Sequence, residues 1–385
     1  WEDGRSSASS GTDIYAARVS DSSGSVLDSG GVAVSTASGD QQRPAVAAGS
    51  GTFLVAWQDG RSSASSGVDI YAARVGASSG SVLDSGGIAV STAGGDQRQP
   101  AVGASGGTFL AAWQDARGGS TRTDIYGARI DGSTGKLLAP TEFTISSAAG
   151  VHRTRPRVAL ASGTFLVAFH RATSGGGTDL HAVRVTSSGI VVDTSDIVVT
   201  KDIAPDRETG LAGAGSSYLS LWQRAPAGGS GFDLEGARVS VKGVVLDATP
   251  FSAAKGIYAQ KGQNGLGLAA AGSSSLKYGA VFARFVASAT YKTPRARALF
   301  LSWKADGSSC AGADECASGH CVDGVCCDSA CSGGASSGCS ACTVAAGASK
   351  DGQCEVFPAG TTCRAAVGIC DLQETCTGSS GVCPA

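Results

Sequence analysis

The sequence predicts an all-β protein in which a β-propeller with four-stranded blades is followed by a small disulfide-rich C-terminal region. Three observations carry this prediction. The chain repeats itself with a period of about 56 residues, each repeat contains short apolar runs between Gly/Ser turns, and the cysteines are confined to the end of the chain. Runs of this kind are typical of strands and not of helices.

The repeat is defined by markers that return along the chain. Trp1, Trp57 and Trp113 open a Trp-x-Asp-x-Arg motif at a spacing of 56 residues. Weaker echoes of the aromatic residue follow at Phe169, Trp222 and Phe282. An Asp-Ile-Tyr-x-x-Arg motif, a Gly-x-Val-Leu-Asp motif and a proline recur with nearly the same period. A period of this length is typical of repeat architectures such as propellers.

The second repeat shows how one blade is built. Its predicted strands are Pro44–Ala48, Thr52–Gln58, Val68–Val75 and Ser81–Ser91. Val55 and Trp57 point to one face of the second strand, while Leu54 and Ala56 point to the other. Because both faces are apolar, the strand has to be covered on both sides, as it is when each blade packs on the next. A β-sandwich, the alternative fold, does not need a 56-residue period.

The number of blades depends on how the ends of the chain are interpreted. Four complete sets of strands are followed by a set at residues 266–303, and a half-set lies at residues 13–36. If the ends close on one another, the ring has five blades. Since the chain contains no Met, residue 1 is not a translation start, and an N-terminally incomplete ring of six to eight blades is the preferred interpretation.

Composition argues against two classes of protein. The chain has 30 Lys and Arg against 32 Asp and Glu, a net charge of −2, whereas a nucleic-acid-binding protein needs a basic surface. No apolar stretch reaches the roughly 18–20 residues of a membrane-spanning helix. We therefore expect no nucleic-acid partner and no transmembrane segment in this sequence, in which no signal peptide is visible.

The cysteines divide the chain in two. All 13 lie between residues 310 and 383, a density typical of a disulfide scaffold in an oxidising compartment. The residues predicted to form disulfides are Cys310, Cys316, Cys321, Cys326, Cys327, Cys331, Cys339, Cys342, Cys354, Cys363, Cys370, Cys376 and Cys383. Their spacing does not give the connectivity, and the odd count places one partner beyond the end of the sequence. Zinc ligation by Cys339 and Cys342 with Cys326 and Cys327 is the alternative.

This division predicts four segments and a location. They are a propeller at residues 1–303, a linker at 304–309, and cysteine-rich modules at 310–342 and 343–385. The propeller is expected to be incomplete at its N-terminus and the last module at its C-terminus. Because disulfides persist in oxidising compartments, the chain is predicted to be extracellular or at the cell surface.

Charged residues that recur in every blade have two interpretations. The Asp series that begins at Asp13 and the Arg series that begins at Arg18 could form a ring of charges for an anionic glycan. A scaffold role is favoured, because residues shared by all blades hold the blade, whereas a binding site breaks the symmetry. Each Asp would accept backbone N–H groups, and each Arg would pair across the sheet or onto a neighbouring blade. Asp59 and Asp69 could hold Ca²⁺ at a hairpin mouth, but a salt bridge from Asp59 to Arg61 is the favoured alternative.

Candidate catalytic and metal-binding residues are few. His170 and His181 lie on adjoining predicted strands, but two histidines without a third ligand make a poor zinc site, so we interpret both as ordinary histidines. The sequence contains no Gly-x-Ser-x-Gly, His-Glu-x-x-His or phosphate-loop motif, nor the Asp boxes of propeller sialidases. We therefore predict no cofactor, no metal and no enzymatic activity.

Two stretches of the C-terminal region resemble known modules. The spacing from Cys316 through Cys321 to Cys326 and Cys327 resembles the Dickkopf-type cysteine modules of secreted proteins, which also occur on myxobacterial surface proteins. Residues 363–384, with Asp-Leu-x-Glu and Cys-Thr-Gly-x-Ser between their cysteines, resemble the end of a disintegrin-like domain. The resemblance implies a disulfide-stapled extracellular module. The loop at residues 365–369 departs from the family by lacking Arg-Gly-Asp.

Together these features favour an extracellular or cell-surface protein for adhesion or binding, with a surface protein or polysaccharide as partner and self-assembly as a further option. The alternatives are a structural subunit of a surface filament or coat, and a propeller hydrolase or lyase for polysaccharide. Because a binding site should lie where the repeat degrades, we predict it at unshared charges near residues 201–215 and 247–264. The residues are Asp206, Arg207, Glu208, Lys255 and Lys261.

Overall fold

The structure, a computed structural model, describes most of the chain as strands and turns. The described residues are 1–5, 7, 11–65, 67–119, 122–203, 209–224, 232–257, 266–271, 277–287, 292–332, 338–367 and 372–384. Within these ranges, side chains are described except at residues 202–203, 232, 255–257, 266–271, 283–287 and 292–296.

Antiparallel sheets follow one another along the first three quarters of the chain, in sequence order. Sheet 1 contains β1 (Glu2–Asp3), β2 (Asp13–Ala16) and β3 (Val32–Ser35). Sheet 2 contains β4 (Gln41–Gly49), β5 (Thr52–Asp59), β6 (Asp69–Gly76) and β7 (Ile88–Ser91). Sheet 3 contains β8 (Gln97–Ser105), β9 (Thr108–Asp115), β10 (Asp124–Asp131) and β11 (Leu137–Ser146).

The remaining large sheets keep the same up-and-down order. Sheet 4 contains β12 (Arg153–Ala161), β13 (Thr164–Ala172), β14 (Thr178–Thr186) and β15 (Ile197–Ile203). Sheet 5 contains β16 (Thr209–Ala214), β17 (Ser217–Arg224), β18 (Phe232–Ser240) and β19 (Phe251–Ile257). Sheet 6 contains β20 (Leu266–Ala271), β21 (Lys277–Ala287) and β22 (Lys292–Ser302). The predicted all-β propeller fold with four-stranded blades is confirmed.

The chain forms two compact units, each with most of its contacts inside itself. The first unit is Trp1–Ala212, Leu221–Glu235 and Ala253–Tyr258. The second unit is Gly213–Ser220, Gly236–Ser252 and Ala259–Ala385. The first unit contains sheets 1 to 4, and the second contains sheet 6 with both cysteine-rich modules. The predicted domain boundaries stay a prediction.

In the first unit, successive sheets pack face to face through the alternating residues of each strand. Val55 and Trp57 of β5 pack with Ile14 of sheet 1, whereas Leu54 and Ala56 on the opposite face belong to a cluster with sheet 3. All four β5 side chains are buried, so both faces of this strand are covered as predicted. The first strands of sheets 2, 3 and 4, which are β4, β8 and β12, lie side by side.

The fourth strand of sheet 2 is shorter than predicted. It begins at Ile88 and not at Ser81, because the preceding segment leaves the sheet after an isolated bridge between Val75 and Val82. The Asp84 carboxylate in this segment accepts hydrogen bonds from the backbone N–H and the guanidinium of Arg74 at 2.8–2.9 Å. This charge-assisted contact holds the chain in a turn where a continuous strand was predicted.

The C-terminal region is built from short hairpins and single 3₁₀ turns. Its two-residue and three-residue strands are β23 (Cys321–Val322), β24 (Val325–Cys326), β25 (Ser340–Ala341), β26 (Glu355–Val356), β27 (Thr362–Arg364) and β28 (Glu374–Thr375). The 3₁₀ turns are Ala313–Glu315 and Val344–Ala346. Among the described residues, no helix is long and apolar enough to cross a membrane.

Candidate functional site

The residues predicted for binding lie mostly outside the part of the chain that the structure describes. Asp206, Arg207, Glu208 and Lys261 fall outside the described residues, and Lys255 lies in β19 without a described side chain. The predicted patch therefore stays a prediction. The described residues point to a different place, in sheet 4.

Sheets 2 and 3 each contain the same kind of buried side-chain cluster at one end of the blade. In sheet 2, the Asp59 carboxylate accepts from Trp57 Nε1 at 2.7 Å and from Arg61 Nη2 at 2.7 Å. The Arg61 guanidinium lies 3.9 Å from the centroid of the Tyr71 ring. In sheet 3, the Asp115 carboxylate accepts from Trp113 Nε1 and from Arg117 Nη2, both at 2.8 Å. The Arg117 guanidinium lies 4.1 Å from the centroid of the Tyr126 ring. The salt bridge predicted between Asp59 and Arg61 is thus confirmed.

The recurring Arg of the second marker also holds the blade. Arg74 binds Asp84 through Nε and Nη2, and its Nη1 donates to the carbonyl of Gly132 in sheet 3 at 3.3 Å. The same Arg–Asp pairs recur at Arg18–Asp28, Arg184–Asp193 and Arg238–Asp247. These contacts run across one sheet and onto the next, as the scaffold interpretation predicted.

Sheet 4 replaces every member of the buried cluster at once. The strand register places Phe169 opposite His181, and Arg171 opposite Asp179 and Arg153. By the same register, the sheet 2 residues at these places are Trp57, Tyr71, Asp59, Asp69 and Gln41. Thr173 takes the place of Arg61. Sheet 4 therefore lacks both the large indole and the Asp–Arg pair that fill this position in sheets 2 and 3.

A further replacement puts a carboxylate where sheets 1 and 2 have a glycine. In sheet 2, a Cβ on Gly87 would lie 3.2 Å from the Trp57 and Tyr71 rings, and its φ of +82° also favours Gly. Asp196, which precedes β15 as Gly87 precedes β7, occupies this place in sheet 4. The smaller rings of Phe169 and His181 leave the space that its side chain fills.

These replacements open a polar cavity of about 380 Å³, which we call the sheet 4 cavity. Most of its lining comes from sheet 4, and the end of β11 in sheet 3 supplies the rest. The lining residues with polar side chains are Ser146, Ser147, Arg153, Arg171, His181, Asp193, Thr194, Ser195 and Asp196. Asp193 is bound to Arg184, so the cavity presents two guanidinium groups, an imidazole and the Asp196 carboxylate.

Several buried nitrogen atoms of this cavity have no hydrogen-bond partner among the described residues. They are Nε and Nη1 of Arg153, Nε of Arg171, and both ring nitrogens of His181. Arg153 is 3 % exposed and His181 is 2 % exposed, so bulk water does not satisfy them. Buried polar groups are nearly always hydrogen-bonded, so these nitrogen atoms are available to a group that enters the cavity.

Asp196 is held in place from two sides. Ser146 Oγ of the neighbouring sheet donates to its Oδ1 at 2.6 Å, and Arg153 Nη2 lies 3.3 Å from its Oδ2. The same Oδ2 is 3.9 Å from Nδ1 of His181, and Asp179 Oδ2 is 3.9 Å from Nε2 on the other side of the ring. Both distances are too long for a hydrogen bond. The imidazole therefore lies between two carboxylates without binding either.

Burial keeps the imidazole of this cavity neutral. Desolvation lowers the pKa of His181, and the positive charge of Arg171 lowers it further, while the carboxylates of Asp196 and Asp179 act in the opposite direction. A neutral imidazole offers one N–H donor and one acceptor. The cavity thus combines guanidinium donors for an oxyanion with groups that can bind hydroxyls.

The twelve described cysteines form six disulfides. The pairs are Cys310–Cys321, Cys316–Cys326, Cys327–Cys342, Cys331–Cys354, Cys339–Cys376 and Cys363–Cys383. Cys370 falls outside the described residues. Because Cys326, Cys327, Cys339 and Cys342 are all bonded to sulfur, none remains as a thiolate for the alternative zinc site.

A second cavity, of about 470 Å³, lies between sheets 1 and 2. Its lining is mainly apolar, with Trp1, Tyr15, Phe53, Val55 and Val75 among its residues. This cavity offers packing surface and no cluster of polar groups comparable to that of the sheet 4 cavity. It therefore does not compete as the candidate site.

Comparison with known proteins gives one short sequence match. No family model matches the chain. A stretch of 33 residues is 70 % identical to "Disintegrin and metalloproteinase domain-containing protein B" of Aspergillus fumigatus, covering 9 % of this chain and 4 % of that protein. The chain thus spans only a small part of this relative. The match agrees with a disulfide-rich C-terminal region.

Solved structures with detectable similarity include propeller enzymes. One is the catalytic domain of an α-L-arabinofuranosidase from Coprinopsis cinerea, at 12 % identity and a TM-score of 0.38, covering 68 % of this chain and 90 % of that one. Another is the arabinanase of Bacillus subtilis, at 11 % identity and a TM-score of 0.38, covering 68 % of this chain and 94 % of that one. An α-L-arabinanase of Cellvibrio cellulosa, complexed with arabinohexaose, has 14 % identity and a TM-score of 0.36, covering 69 % and 93 %. Likeness at these TM-scores carries no argument about function.

Proposed function

We propose that this chain is an extracellular binding protein that holds an acidic saccharide in the sheet 4 cavity. The observation that carries the proposal is the buried guanidinium of Arg153, whose Nε and Nη1 have no hydrogen-bond partner among the described residues. Leaving a buried donor unpaired costs about 1–3 kcal/mol. A ligand oxyanion that accepts from these donors removes that cost and gains charge-assisted hydrogen bonds.

The other groups of the cavity favour a ligand that also carries hydroxyls. Asp196 and the neutral His181 offer acceptors, and the hydroxyls of Ser147, Thr194 and Ser195 offer both donors and acceptors. A simple inorganic anion would use only the guanidinium groups. A sugar acid such as a uronate uses the full set, because its carboxylate and its hydroxyls are spaced around one ring.

The disulfide-rich region supports the extracellular part of this proposal, because six disulfides persist only in an oxidising compartment. In this proposal, the Dickkopf-like and disintegrin-like modules serve attachment to a surface protein or polysaccharide. The myxobacterial type of surface protein, the adhesion role and assembly into a filament or coat remain parts of the proposal.

Titration calorimetry with D-glucuronate and with D-glucose tests the site. We expect glucuronate to bind the full chain at least tenfold more tightly than glucose, because only glucuronate offers a carboxylate to Arg153. Arg153→Gln places in sheet 4 the residue that stands at Gln41 and Gln97, and it should weaken glucuronate binding at least tenfold.

Arg98→Gln is the matched control for this test. Arg98 pairs with Asp96 at 2.8 Å outside the cavity and is 42 % exposed, so its loss should leave binding unchanged. Equal affinity for glucuronate and glucose, or unchanged binding by Arg153→Gln, would reject the proposed ligand class.

A second candidate function for the same cavity is saccharide hydrolysis. The observation that favours it is the Asp196 carboxylate next to the neutral imidazole of His181 in the cavity, 3.9 Å from its Nδ1, since a carboxylate and an imidazole can act as general acid and base. An oligomer of glucuronate is a suitable test substrate, because it carries both the carboxylate of the first proposal and a glycosidic bond. Release of reducing ends that disappears in both His181→Gln and Asp196→Asn would favour hydrolysis, and binding without turnover would favour the first proposal.

A further inference from the structure

In sheets 1 and 2, the Arg–Asp pair forms a small docking socket on the side of the next sheet. Arg18 donates through Nη1 to the carbonyl of Ser78 at 2.5 Å, and Arg74 donates through Nη1 to the carbonyl of Ser133. In both cases the acceptor belongs to a tight turn of the next sheet. The socket on sheets 1 and 2 is therefore an arginine that recognises the exposed carbonyl of a turn.

Each of these turns ends in a glycine that the socket requires. Gly80 and Gly135 both have a φ of +73°, and a Cβ on either would lie 2.9 Å from the guanidinium of the receiving arginine. A side chain at this position would thus collide with the socket while also straining the backbone. The recognised element is a turn with a free carbonyl followed closely by a left-handed glycine.

In the second unit, the same socket holds the first cysteine-rich module. Arg238 binds Asp247 through Nε and Nη2 at 2.9 and 2.7 Å, and its Nη1 donates to the carbonyl of Cys316. The turn that follows ends at Gly319, with a φ of +75°, and a Cβ there would lie 3.4 Å from the Leu246 side chain. The acceptor lies three residues before the glycine in this turn, and two residues before it in the propeller turns.

We propose that this module is docked on sheet 5, with its turn in the place that the turn of the next sheet takes against sheets 1 and 2, and does not hang from a free linker. Arg238 is 1 % exposed, and its guanidinium also lies 4.7 Å from the ring centroid of Trp303, immediately after β22. Cys316 is fully buried. The interaction surface is thus the Arg238 socket with Trp303, and its partner is the module turn at residues 316–319.

The segment predicted as a linker takes part in this docking. Lys304 donates its backbone N–H to the carbonyl of Glu315 at 2.8 Å, and its own carbonyl accepts from the N–H of Ala317 at 2.9 Å. Gly307 and Ser308 are hydrogen-bonded to the backbone of Cys326. These hydrogen bonds attach the segment after Trp303 to the first cysteine-rich module.

Hydrogen exchange on the full chain tests the docking from both sides. Arg238→Gln should raise the exchange rate of the Lys304 and Ala317 amides at least tenfold, because it removes the donor to Cys316. Arg74→Gln, the same change in sheet 2, should leave these two amides as they are. Unchanged protection in Arg238→Gln, or equal loss in both variants, would overturn the proposal.

A change on the module side keeps the test decisive if Arg238→Gln does not fold. Gly319→Gln should raise the exchange of the Leu246 amide, which donates to the Arg238 carbonyl in sheet 5. Gly324→Gln is the matched control, since Gly324 has a φ of +76° but nothing within 4 Å of a Cβ. If Gly319→Gln leaves the Leu246 amide protected, the module is a tethered appendage and the proposal is wrong.

Discussion

His181 stacks on Phe169 across β13 and β14, with 6.3 Å between the ring centroids and 23° between the ring planes. In sheet 2, the same register position pairs Tyr71 with Trp57. The smaller pair in sheet 4 makes room for Asp196 and leaves the Arg153 guanidinium without its full set of partners among the described residues. One aromatic pair thus distinguishes a filled blade from one with a cavity.

Restoring the sheet 2 residues in sheet 4 should close this cavity. The sixfold variant is Arg153→Gln, Phe169→Trp, Arg171→Asp, Thr173→Arg, His181→Tyr and Asp196→Gly. We expect glucuronate binding to be lost and the free energy of unfolding to rise by about 1–3 kcal/mol, because the variant removes buried donors that lack partners among the described residues. Urea unfolding and calorimetry on the same protein measure both effects. A less stable variant that still binds would show that the cavity neither costs stability nor holds the ligand.

The repeat made the scaffold predictable from sequence. Trp57, Asp59, Arg61 and Tyr71 recur at fixed spacing, and alternation along β5 places Trp57 and Asp59 on the same face of that strand. The Arg74–Asp84 pair was anticipated only as a pairing across the sheet or between blades, because its turn depends on where the strand ends. Both contacts are present in the structure.

The sheet 4 cavity was not predicted from the sequence, because His181 was considered only as a zinc ligand together with His170. The sequence signal lies in three replacements taken together, because Phe169, Arg171 and His181 stand where sheet 2 has Trp57, Asp59 and Tyr71. What sequence alone does not supply is the volume that these changes release, which depends on how the residue at the position of Gly87 packs against the two rings. The docking of the first cysteine-rich module could not be predicted from the sequence either, because the group that Arg238 binds is a backbone carbonyl and not a side chain.

The buried Asp59 and its counterpart Asp3, which pairs with an exposed arginine, should differ strongly in their contribution to stability. Both accept from a Trp indole and an Arg guanidinium, but Asp59 is fully buried, whereas Arg5 beside Asp3 is 47 % exposed. Asp59→Ala should lower the free energy of unfolding by about 3 kcal/mol, since it leaves buried donors unpaired. Asp3→Ala should cost much less, because solvent screens its ion pair with the exposed Arg5.

Chemical unfolding of the two variants measures this difference. If the Asp59 cluster stabilises sheet 2, the loss of unfolding free energy should follow the burial of the cluster. It should not follow the number of hydrogen bonds to the carboxylate, which is the same in both clusters. Losses of equal size would show that solvent screening does not separate them, and that the Trp-x-Asp-x-Arg motif has another role than holding the blade.

His170 should make the stability of the first unit depend on pH. Its Nε2 lies 2.8 Å from Thr209 Oγ1, and burial, with the positive charges of Arg155 and Arg157, lowers its pKa from 6.5 to about 3. Between these two values the unfolded chain binds a proton that the folded chain does not. The contribution of neutral His170 is therefore complete above about pH 6.5 and is lost as the pH falls toward 3.

Replacing His170 by Gln, the residue at Gln58 and Gln114, removes this titration. We expect the unfolding free energy of His170→Gln to fall less steeply than that of the unchanged protein, by on the order of 2–3 kcal/mol between pH 7 and pH 4. Carboxylates that lose their ion pairs at low pH affect both proteins equally, so the difference isolates the imidazole. Urea unfolding at several pH values measures it, with the exposed His152→Gln as control. Parallel pH profiles for His170→Gln and the unchanged protein would mean that His170 is protonated without cost in the folded chain.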